Sequence, residues 1–281
     1  MKNLTFRSVL VSLLSRNYPR TYMTISYIYN RRRVPSFTRP KDLSEKIIAR
    51  MLSREMEQYS HLADKYKVRK FVEEKGLGHL LPKLFGVWTD PSEIDFNMLP
   101  DKFVLKTNNG CGYNIFCLDK NKLDVTAACS QLRKWLRSDY NHVETHYKLI
   151  EPRIICEEFI PGDRAVFPVD YKFMCFHGEP HCILVCTNRA ENVKLTTMDL
   201  EWTRLDYLTS AYTHDTVIEK PRNLESMIAY ASRLSEGLDF VRVDLYDVGE
   251  KVYFGELTFT PQKGIMSYFS NRAIRIMGGL M

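Results

Sequence analysis

The chain has 281 residues, 44% of them hydrophobic, which is enough for a sizeable core in one large domain or two lobes. Its mixed charge and its lack of a low-complexity tract exclude a disordered or fibrous protein. Seven cysteines without a Cys-x-x-Cys pair exclude a zinc ribbon and a thioredoxin-type motif, and we expect reduced thiols in a cytoplasmic protein.

The net charge of +6 comes from an N-terminal arm, which we define as residues 1–40. The arm carries eight basic residues and no acidic one, whereas residues 41–281 carry 32 basic and 34 acidic residues. The basic residues of the arm are Lys2, Arg7, Arg16, Arg20, Arg31, Arg32, Arg33 and Arg39. Such an arm can contact nucleic acid, anionic lipid or an acidic partner, or it can be a solvated segment with no partner.

Apolar residues at helical spacing predict an amphipathic helix at the start of the arm. The apolar positions are Phe6, Leu10, Leu13 and Leu14, and Ser8, Ser12 and Ser15 lie opposite. The apolar run is far shorter than the roughly 20 residues that cross a membrane. We expect this helix to pack onto the body of the protein, with contact to a membrane surface as the alternative.

Residues 39–82 are predicted to form two helices. Ser44 is the expected N-cap of the first helix, and Asp64 is expected to begin the second. Gly76 and Gly78 are expected to end it, because glycine readily adopts the left-handed conformation found at helix C-termini.

The remaining sequence predicts a β-rich body with interspersed helices. We expect strands at 83–88 and 153–160, hairpins at 103–118, 169–189 and 240–261, and helices at 125–140 and 225–238. The combination predicts an α+β protein.

The stretch KTNNGCGYN (106–114) places a lysine at the end of an apolar strand, followed by two glycines. An unpaired ammonium is costly to bury, and Gly110 and Gly112 allow backbone N–H groups to approach an anion. Phosphate binding and a plain hairpin turn both fit this pattern. The stretch matches neither the P-loop nor the dinucleotide-binding fingerprint.

The stretch CEEFIPGDRAV (156–166) ends a buried strand with two carboxylates and an apolar pair. Its backbone can read the edge of a flat base while Phe159 and Ile160 supply apolar contact, and Asp163 can reach a sugar hydroxyl. The alternative is a strand-ending turn with solvated acids.

The stretch FVRVDLYDVGEKVYFGELTFTP (240–261) has Asp244 and Glu256 on two strands that a tight turn joins. Pairing of these strands about Asp247–Gly249 would bring the two carboxylates together, and they repel unless a cation lies between them. Carboxylate oxygens suit Mg²⁺, particularly when phosphate oxygens complete its shell. The alternative is an ion pair of Asp244 with Arg242 or another base.

In this order, the three stretches are the parts of an ATP site, and the chain resembles ATP-grasp proteins. It is most similar to the branch of the teichuronopeptide biosynthesis protein TupA. The stretches that carry the resemblance are LADKYKVRKFVEEKGL, LPDKFVLKTNNGCGYN, EEFIPG, DYKFMCFHGEP and VRVDLYDVGEKVYFGELTFTP. The resemblance implies an ATP-grasp fold, with the arm at 1–40, a helical region at 41–100, and at 101–281 two α+β lobes that clamp ATP.

The resemblance also implies roles for individual residues, which fall into nucleotide, catalytic and metal groups. Nucleotide contacts would come from Lys106, Gly110, Gly112, Glu157, Glu158, Phe159, Ile160 and Asp163, with 157–160 as the adenine hinge. Lys172, Arg242 and Arg189 would contact phosphate or the reacting acyl group. Mg²⁺ would be held by Asp244, Glu256 and Thr258. Many ATP-grasp enzymes have an asparagine where this chain has Thr258. Either the Thr258 hydroxyl replaces the asparagine as a ligand, or only one metal ion is firmly held.

The activity implied is an ATP-dependent carboxylate–amine ligase that joins an amino acid to a uronic acid of a cell-surface polysaccharide through an acyl phosphate. Its partners would be a nucleotide, an acidic sugar or glycan, an amino acid and, through residues 1–40, a membrane surface; nucleic acid is not expected. The alternatives are a kinase acting on a sugar hydroxyl, a non-catalytic module that binds membrane or nucleic acid, and a glycosyltransferase.

Overall fold

The computed structural model describes residues 6–138, 143–162, 166–188, 192–214 and 217–281, and for residues 6–10 it describes the backbone alone. The helices are α1 (Phe6–Asn17), α2 (Pro19–Arg31), α3 (Leu43–Leu52), α4 (Ser60–Ala63), α5 (Val68–Glu74), α6 (Val125–Leu136), α7 (Thr145–Lys148), α8 (Leu224–Ser235) and α9 (Asn271–Leu280). The strands are β1 (Leu84–Trp88), β2 (Phe103–Thr107), β3 (Asn114–Cys117), β4 (Ile154–Glu158), β5 (Asp170–Phe176), β6 (Glu179–Thr187), β7 (Lys194–Met198), β8 (Phe240–Val248) and β9 (Lys251–Thr258). The fold is α+β, as predicted.

The strands form two sheets. The small sheet has the order β1-β4-β2-β3, the large sheet has the order β7-β6-β5-β8-β9, and neighbouring strands run antiparallel. The three predicted hairpins are confirmed as β2–β3, β5–β6 and β8–β9. The β5–β6 and β8–β9 ladders each contain a register shift, so the turn alone does not set the pairing along these two hairpins.

Each sheet has its own hydrophobic core. Phe103, Leu105 and Ile154 of the small sheet pack with Leu132 of α6. The large sheet shares a more extensive core with the N-terminal helices, α8 and α9. One face of each sheet is thereby covered by helices.

The predicted helices of 39–82 form in part, with different starting points. Asp42 caps α3 instead of Ser44: its backbone is extended, and its carboxylate accepts the N–H of Glu45 at 2.8 Å. Ser44 is already inside the first turn, where its buried hydroxyl donates to the Ile265 carbonyl at 3.2 Å. Helix α4 ends at Ala63, and α5 begins only at Val68.

The turn between α4 and α5 is stabilised by Asp64. Its carboxylate accepts the N–H groups of Tyr66 and Lys67 at 2.9 and 3.2 Å, so the residue holds a turn before α5 instead of beginning the helix itself. Gly76 ends α5 with φ +71°, as predicted.

Part of the basic arm belongs to the folded body. Met23 and Tyr27 on α2 are buried in the large core, and the Tyr27 hydroxyl donates to Asp42 at 2.8 Å. Arg31 is buried and donates to the backbone carbonyls of Met266 and Phe269. The division of the chain at residues 40 and 100 stays a prediction.

Helix α1 forms as predicted, but the side chains that are exposed and buried on it differ from the predicted ones. Leu13 is 53% exposed, whereas Ser15 is buried. The Ser15 hydroxyl donates to the Ser12 carbonyl at 3.0 Å, so it can be buried without losing its hydrogen bond. Within the described residues, no helix is both long and apolar enough to cross a lipid bilayer.

Candidate functional site

Lys106 lies on the face of the small sheet opposite α6, a face that it shares with the buried residues Val104 and Glu157. Its neighbours Phe103 and Leu105 on β2 point into the core with α6, so side-chain alternation turns Lys106 the other way. Its Nζ donates to Glu157 Oε2 at 2.6 Å, and Arg69 Nη1 donates to Glu157 Oε1 at 2.8 Å. Both oxygens of this buried carboxylate are thus held by cations, while the Lys106 side chain stays 24% exposed.

The glycine-rich loop between β2 and β3 requires both of its glycines. Gly112 has φ +72°, and a Cβ added at Gly110 would lie 2.2 Å from the Tyr113 ring, which stacks on Trp135 with 5.1 Å between ring centroids. At the base of the loop, the buried side chain of Asn108 accepts the Arg153 N–H at 2.7 Å. The loop therefore leaves the sheet from a fixed base.

The side chains of Glu157 and Glu158, in the predicted adenine hinge, point to opposite faces of the small sheet. Strand alternation turns the Glu158 carboxylate away from that of Glu157, and it accepts the backbone N–H of Lys83 at 3.1 Å. Phe159 lies near Phe116 and Phe167, with ring centroids 6.4 and 6.3 Å away. The hinge is therefore apolar on the side of Phe159 and charged on the side of Glu157.

On the large sheet, Lys172 and Asp244 are directly opposed across β5 and β8. Lys172 Nζ lies 2.5 Å from Asp244 Oδ2 and 2.6 Å from Asp170 Oδ2. Burial alone would lower the pKa of Lys172, but Asp170 and Asp244 outweigh it and raise the pKa. Lys172 is thus a fully charged lysine between two buried carboxylates.

The predicted approach of Asp244 and Glu256 is confirmed, since the two residues are paired across β8 and β9. The cation between them is Arg242. Its Nε donates to Asp244 Oδ1 at 2.7 Å, and its Nη2 lies 3.3 Å from Glu256 Oε1 and 3.0 Å from Thr258 Oγ1. The ion pair of Asp244 with Arg242, expected as the alternative to metal binding, is therefore present.

The two acids differ in accessibility. Asp244 is 1% exposed, whereas the side chain of Glu256 is 34% exposed and accepts one bond from the Thr258 hydroxyl at 3.1 Å. The pKa of Glu256 is about 2, because the burial that would raise it is outweighed by Lys65, Arg242 and Lys172. Glu256 is thus an ionised carboxylate that a ligand can reach.

Lys65 connects the two sheets, and the sequence interpretation missed it. Its Nζ donates to the Gly110 carbonyl at 2.5 Å and lies 3.9 Å from Glu256 Oε2. Its backbone N–H donates to the Asn108 carbonyl at 3.3 Å. The one feature of the sequence that could have indicated this role is that Lys65 directly follows the turn-forming Asp64. In the structure, Lys65 places the glycine-rich loop of the small sheet next to Glu256 of the large sheet.

Two further residues near Glu256 were also missed. Glu144 is buried and accepts the Thr260 hydroxyl at 2.5 Å, and burial raises the pKa of its carboxyl. Burial also raises the pKa of Tyr147, and Glu144 and Glu256 raise it further. Glu144 and Tyr147 therefore belong to the same electrostatic group as Glu256, and nothing in the local sequence pattern indicates this.

The charges of the cluster on the large sheet are balanced. Asp170, Asp244 and Glu256 face Lys172, Arg242 and Lys65. Among the described residues, no group of three or more His, Cys, Asp or Glu side chains is arranged to hold a metal ion. The oxygens of Asp244, Glu256 and Thr258 are the hard donors that suit Mg²⁺, provided that Lys172 and Arg242 turn to an anion that arrives with it.

The predicted site residues thus fall into three groups. The structure brings together Lys172, Arg242, Asp244, Glu256 and Thr258 on the large sheet, with the loop of Gly110 and Gly112 beside Glu256. Lys106 and Glu157 pair on the small sheet, and Glu158 is turned away from them. Asp163 and Arg189 lie outside the described residues.

Comparison with known proteins decides the family. The model of the family described as TupA-like ATPgrasp matches residues 45–281. The chain belongs to the TupA-like ATP-grasp family. The match covers the glycine-rich loop, the hinge and the β8–β9 hairpin of this TupA-like protein, so the resemblance and the ATP-grasp fold predicted from the sequence are confirmed.

Many solved structures are similar to the TupA-like protein, and three of them are described here. D-alanine–D-alanine ligase from Bacillus anthracis, complexed with ATP, is 16% identical, covers 77% of this chain and 56% of its own, and has a TM-score of 0.43. A RimK domain ATP-grasp protein from Sphaerobacter thermophilus is 13% identical, with coverages of 83% and 67% and a TM-score of 0.42. Phosphoribosylamine–glycine ligase from Thermotoga maritima is 11% identical, with coverages of 71% and 48% and a TM-score of 0.42.

The TupA-like protein thus spans 56% of the length of the Bacillus anthracis ligase, and likenesses this distant add nothing to the family assignment. No curated protein sequence matches the chain.

Proposed function

We propose that this chain is an ATP-dependent ligase that joins a carboxylate to an amine. A carboxylate oxygen of the substrate attacks the γ-phosphorus of ATP, the bond to the β-phosphate oxygen breaks, and ADP leaves. The amine then attacks the carbonyl carbon of the acyl phosphate and loses a proton, and phosphate leaves as the amide forms. The single observation that carries the proposal is that the glycine-rich loop lies beside Glu256 in a chain of this family. Lys65 contacts both the loop and Glu256 and so holds them next to each other.

The nucleotide would lie between the two sheets. Lys106 and the backbone of the Gly110–Gly112 loop would contact phosphate from one side, and Lys172 and Arg242 from the other. The backbone of residues 157–160 would read the adenine edge, with Phe159 and Ile160 against the base. Asp163 and Arg189 are proposed as a ribose contact and an anion contact.

Asp244, Glu256 and Thr258 would hold Mg²⁺. The ion neutralises phosphate charge and orients the phosphate chain when it is bound. Lys172 and Arg242 are held in place by Asp244 before ATP arrives, so they would transfer from a carboxylate partner to a phosphate partner without a large movement. Positioned cations of this kind supply most of the rate in phosphoryl transfer.

The acceptor would be a uronic-acid carboxylate of a cell-surface polysaccharide (capsule, O-antigen or teichuronopeptide), and the amine would come from an amino acid. This choice follows from the sequence resemblance to the teichuronopeptide biosynthesis protein TupA. The reaction would take place in the cytoplasm, where ATP is supplied.

Purified protein incubated with ATP, Mg²⁺, uronic-acid oligosaccharides and an amino-acid mixture tests the proposal. We expect ADP and phosphate in equal amounts, only when the acid and the amine are both present. Release of ADP with no free phosphate, the γ-phosphate being recovered on the sugar, would instead identify a kinase. Lys172→Met is the control that removes one phosphate contact.

A further inference from the structure

Helix α2 has two faces of opposite accessibility. Met23, Tyr27 and Arg31 recur every four residues and are 1%, 0% and 3% exposed. The opposite side, which we call the outer face, carries Ile25, Ile28 and Tyr29, which are 54%, 39% and 68% exposed, and Tyr18, directly before the helix, is 64% exposed. At 100° per residue, the three helical residues lie on average roughly opposite to the buried row. The apolar character of α2 therefore continues onto the side that the body of the protein does not cover.

The outer face is a concentration of apolar side chains. Single exposed apolar residues are ordinary, but a group along one helix face indicates an interaction surface. In sequence, it is flanked by further exposed apolar residues: Leu13 on α1 is 53% exposed, and Val34 just after α2 is 75% exposed. A helix face of this kind is expected to have a partner.

The exposed charges of the arm are positive. Arg31 and Arg33 are used within the body, Arg31 on backbone carbonyls and Arg33 on Asp42 and Glu45. The other basic residues that the structure describes are all exposed: Arg16, Arg20, Arg32 and Arg39. In the described part of the chain, none of these four has an acidic side chain within ion-pair distance. Arg32 lies over the Tyr29 ring, 5.4 Å from its centroid, so cation and apolar face are adjacent.

We propose that α1 and α2 dock the protein on a bilayer of anionic phospholipid, with the outer face in the headgroup region. Apolar side chains on one face of a helix enter the boundary between headgroups and acyl chains, and tyrosine rings favour this level. Arg32, over the Tyr29 ring, is placed to reach the phosphates of anionic lipids, and Arg16 and Arg20 add exposed positive charge where α1 and α2 meet. The chain has no acidic residue before Asp42, so nothing in the arm opposes this attraction.

Two other partners, nucleic acid and a second copy of the chain, match the outer face and its arginines less well. Nucleic acid would use the arginines but would gain little from exposed Ile25 and Ile28, because its backbone is charged. A second copy of the chain related by a two-fold axis would bring the same positive face against itself.

Flotation of the 281-residue chain with lipid vesicles tests the proposal, using phosphatidylcholine alone and phosphatidylcholine mixed with phosphatidylglycerol. We expect binding to the mixed vesicles, weakened by salt. The triple variant Arg16→Gln/Arg20→Gln/Arg32→Gln should lose about fivefold in partition coefficient for each charge removed. Ile25→Ser/Tyr29→Ser should lose vesicle binding at unchanged charge and retain the thermal midpoint of the wild type.

Matched controls come from exposed residues on the small-sheet side of the chain. Met98 is 81% exposed and the side chain of Lys122 is 83% exposed, so Met98→Ser and Lys122→Gln should bind vesicles like the wild type. Equal binding to neutral and mixed vesicles, or equal losses in the control variants, would overturn the proposal. Failure to float, with dimers that Ile25→Ser/Tyr29→Ser abolishes in light scattering, would assign the face to self-association instead. Failure to float, with RNA binding that only the arginine variant loses, would assign the arm to nucleic acid.

Discussion

Lys65 lies between the Gly110 carbonyl, at 2.5 Å from its Nζ, and Glu256 Oε2, at 3.9 Å. One cation therefore contacts both the loop proposed to close over phosphate and the acid proposed to hold Mg²⁺. The position of the loop and the charge state of the metal site depend on the same side chain.

Replacing Lys65 should weaken nucleotide binding. Lys65→Met removes a charge-assisted hydrogen bond to the loop, and we expect a loss of about tenfold in Mg²⁺–ATP affinity, or about 1.4 kcal/mol. Lys65→Arg, which keeps the charge and the donors, should restore part of it. Titration calorimetry measures the affinities, and Lys67→Met, at an exposed lysine in the same turn, is the control. Equal affinities for Lys65→Met and the wild type would contradict a role for Lys65 in the loop.

Gly110 should not tolerate a side chain. A Cβ would lie 2.2 Å from the Tyr113 ring, so Gly110→Ala has to move Tyr113 off Trp135 and reshape the loop. We expect a loss of about tenfold in ATP affinity with little change in stability, since loops contribute little to the core. Gly279→Ala, where an added Cβ meets nothing within 4 Å, is the matched control. An unchanged affinity in Gly110→Ala would exclude the loop from the nucleotide site.

Adjacent glutamates of β4 should differ sharply in their contribution to stability. Glu157→Ala leaves Arg69 and Lys106 without their shared buried carboxylate, and we expect a loss of about 3 kcal/mol. Glu158→Ala loses one bond to a backbone N–H at the sheet edge and should cost about 1 kcal/mol. Urea unfolding of both variants measures the difference. Losses of equal size would mean that the three-residue cluster does not stabilise the fold.

His146 should make the protein sensitive to mild acid. Burial lowers its pKa from 6.5 to about 4, and neither ring nitrogen has a hydrogen-bond partner among the described residues. Because the folded-state pKa lies below the unfolded one, the contribution is complete above pH 6.5 and is lost as pH falls towards 4. Between pH 7.5 and 5 we expect this group to cost about 2 kcal/mol.

The comparison that isolates His146 is the variant His146→Leu, unfolded by urea at both pH values. Its stability should fall by about 2 kcal/mol less than that of the wild type across the interval, whatever its absolute stability. Identical pH dependence in the two proteins would show that His146 is not held neutral in the folded state.

Much of the site follows from local sequence. The short hairpin turn makes the antiparallel pairing of β8 and β9 predictable, and with it the approach of Asp244 and Glu256. The turn lies at residues 249–250 instead of the predicted Asp247–Gly249, and a register shift between Asp244 and Leu245 puts Glu256 instead of Gly255 opposite Asp244. Alternation along β2 likewise turns Lys106 away from the core. Such features are predictable because the partners are close along the chain.

Contacts between distant segments were not predictable. Lys65 and Gly110 are 45 residues apart, and Arg69 and Glu157 are 88 apart, so neither pairing leaves a periodic signal in the sequence. Arg31 was placed in a basic arm that either contacts an anionic partner or is solvated, because charge alone was visible. Its three acceptors are backbone carbonyls of residues 265–269, which only the folded chain brings to it.

A crystal structure with Mg²⁺ and a non-hydrolysable ATP analogue tests the central claim most directly. We expect one nucleotide between the sheets, its phosphates in contact with Lys106, Lys172 and the Gly110–Gly112 loop, and Mg²⁺ on Asp244 and Glu256. A nucleotide bound elsewhere, with Lys172 and Arg242 still paired to Asp244 and the loop away from phosphate, would contradict it.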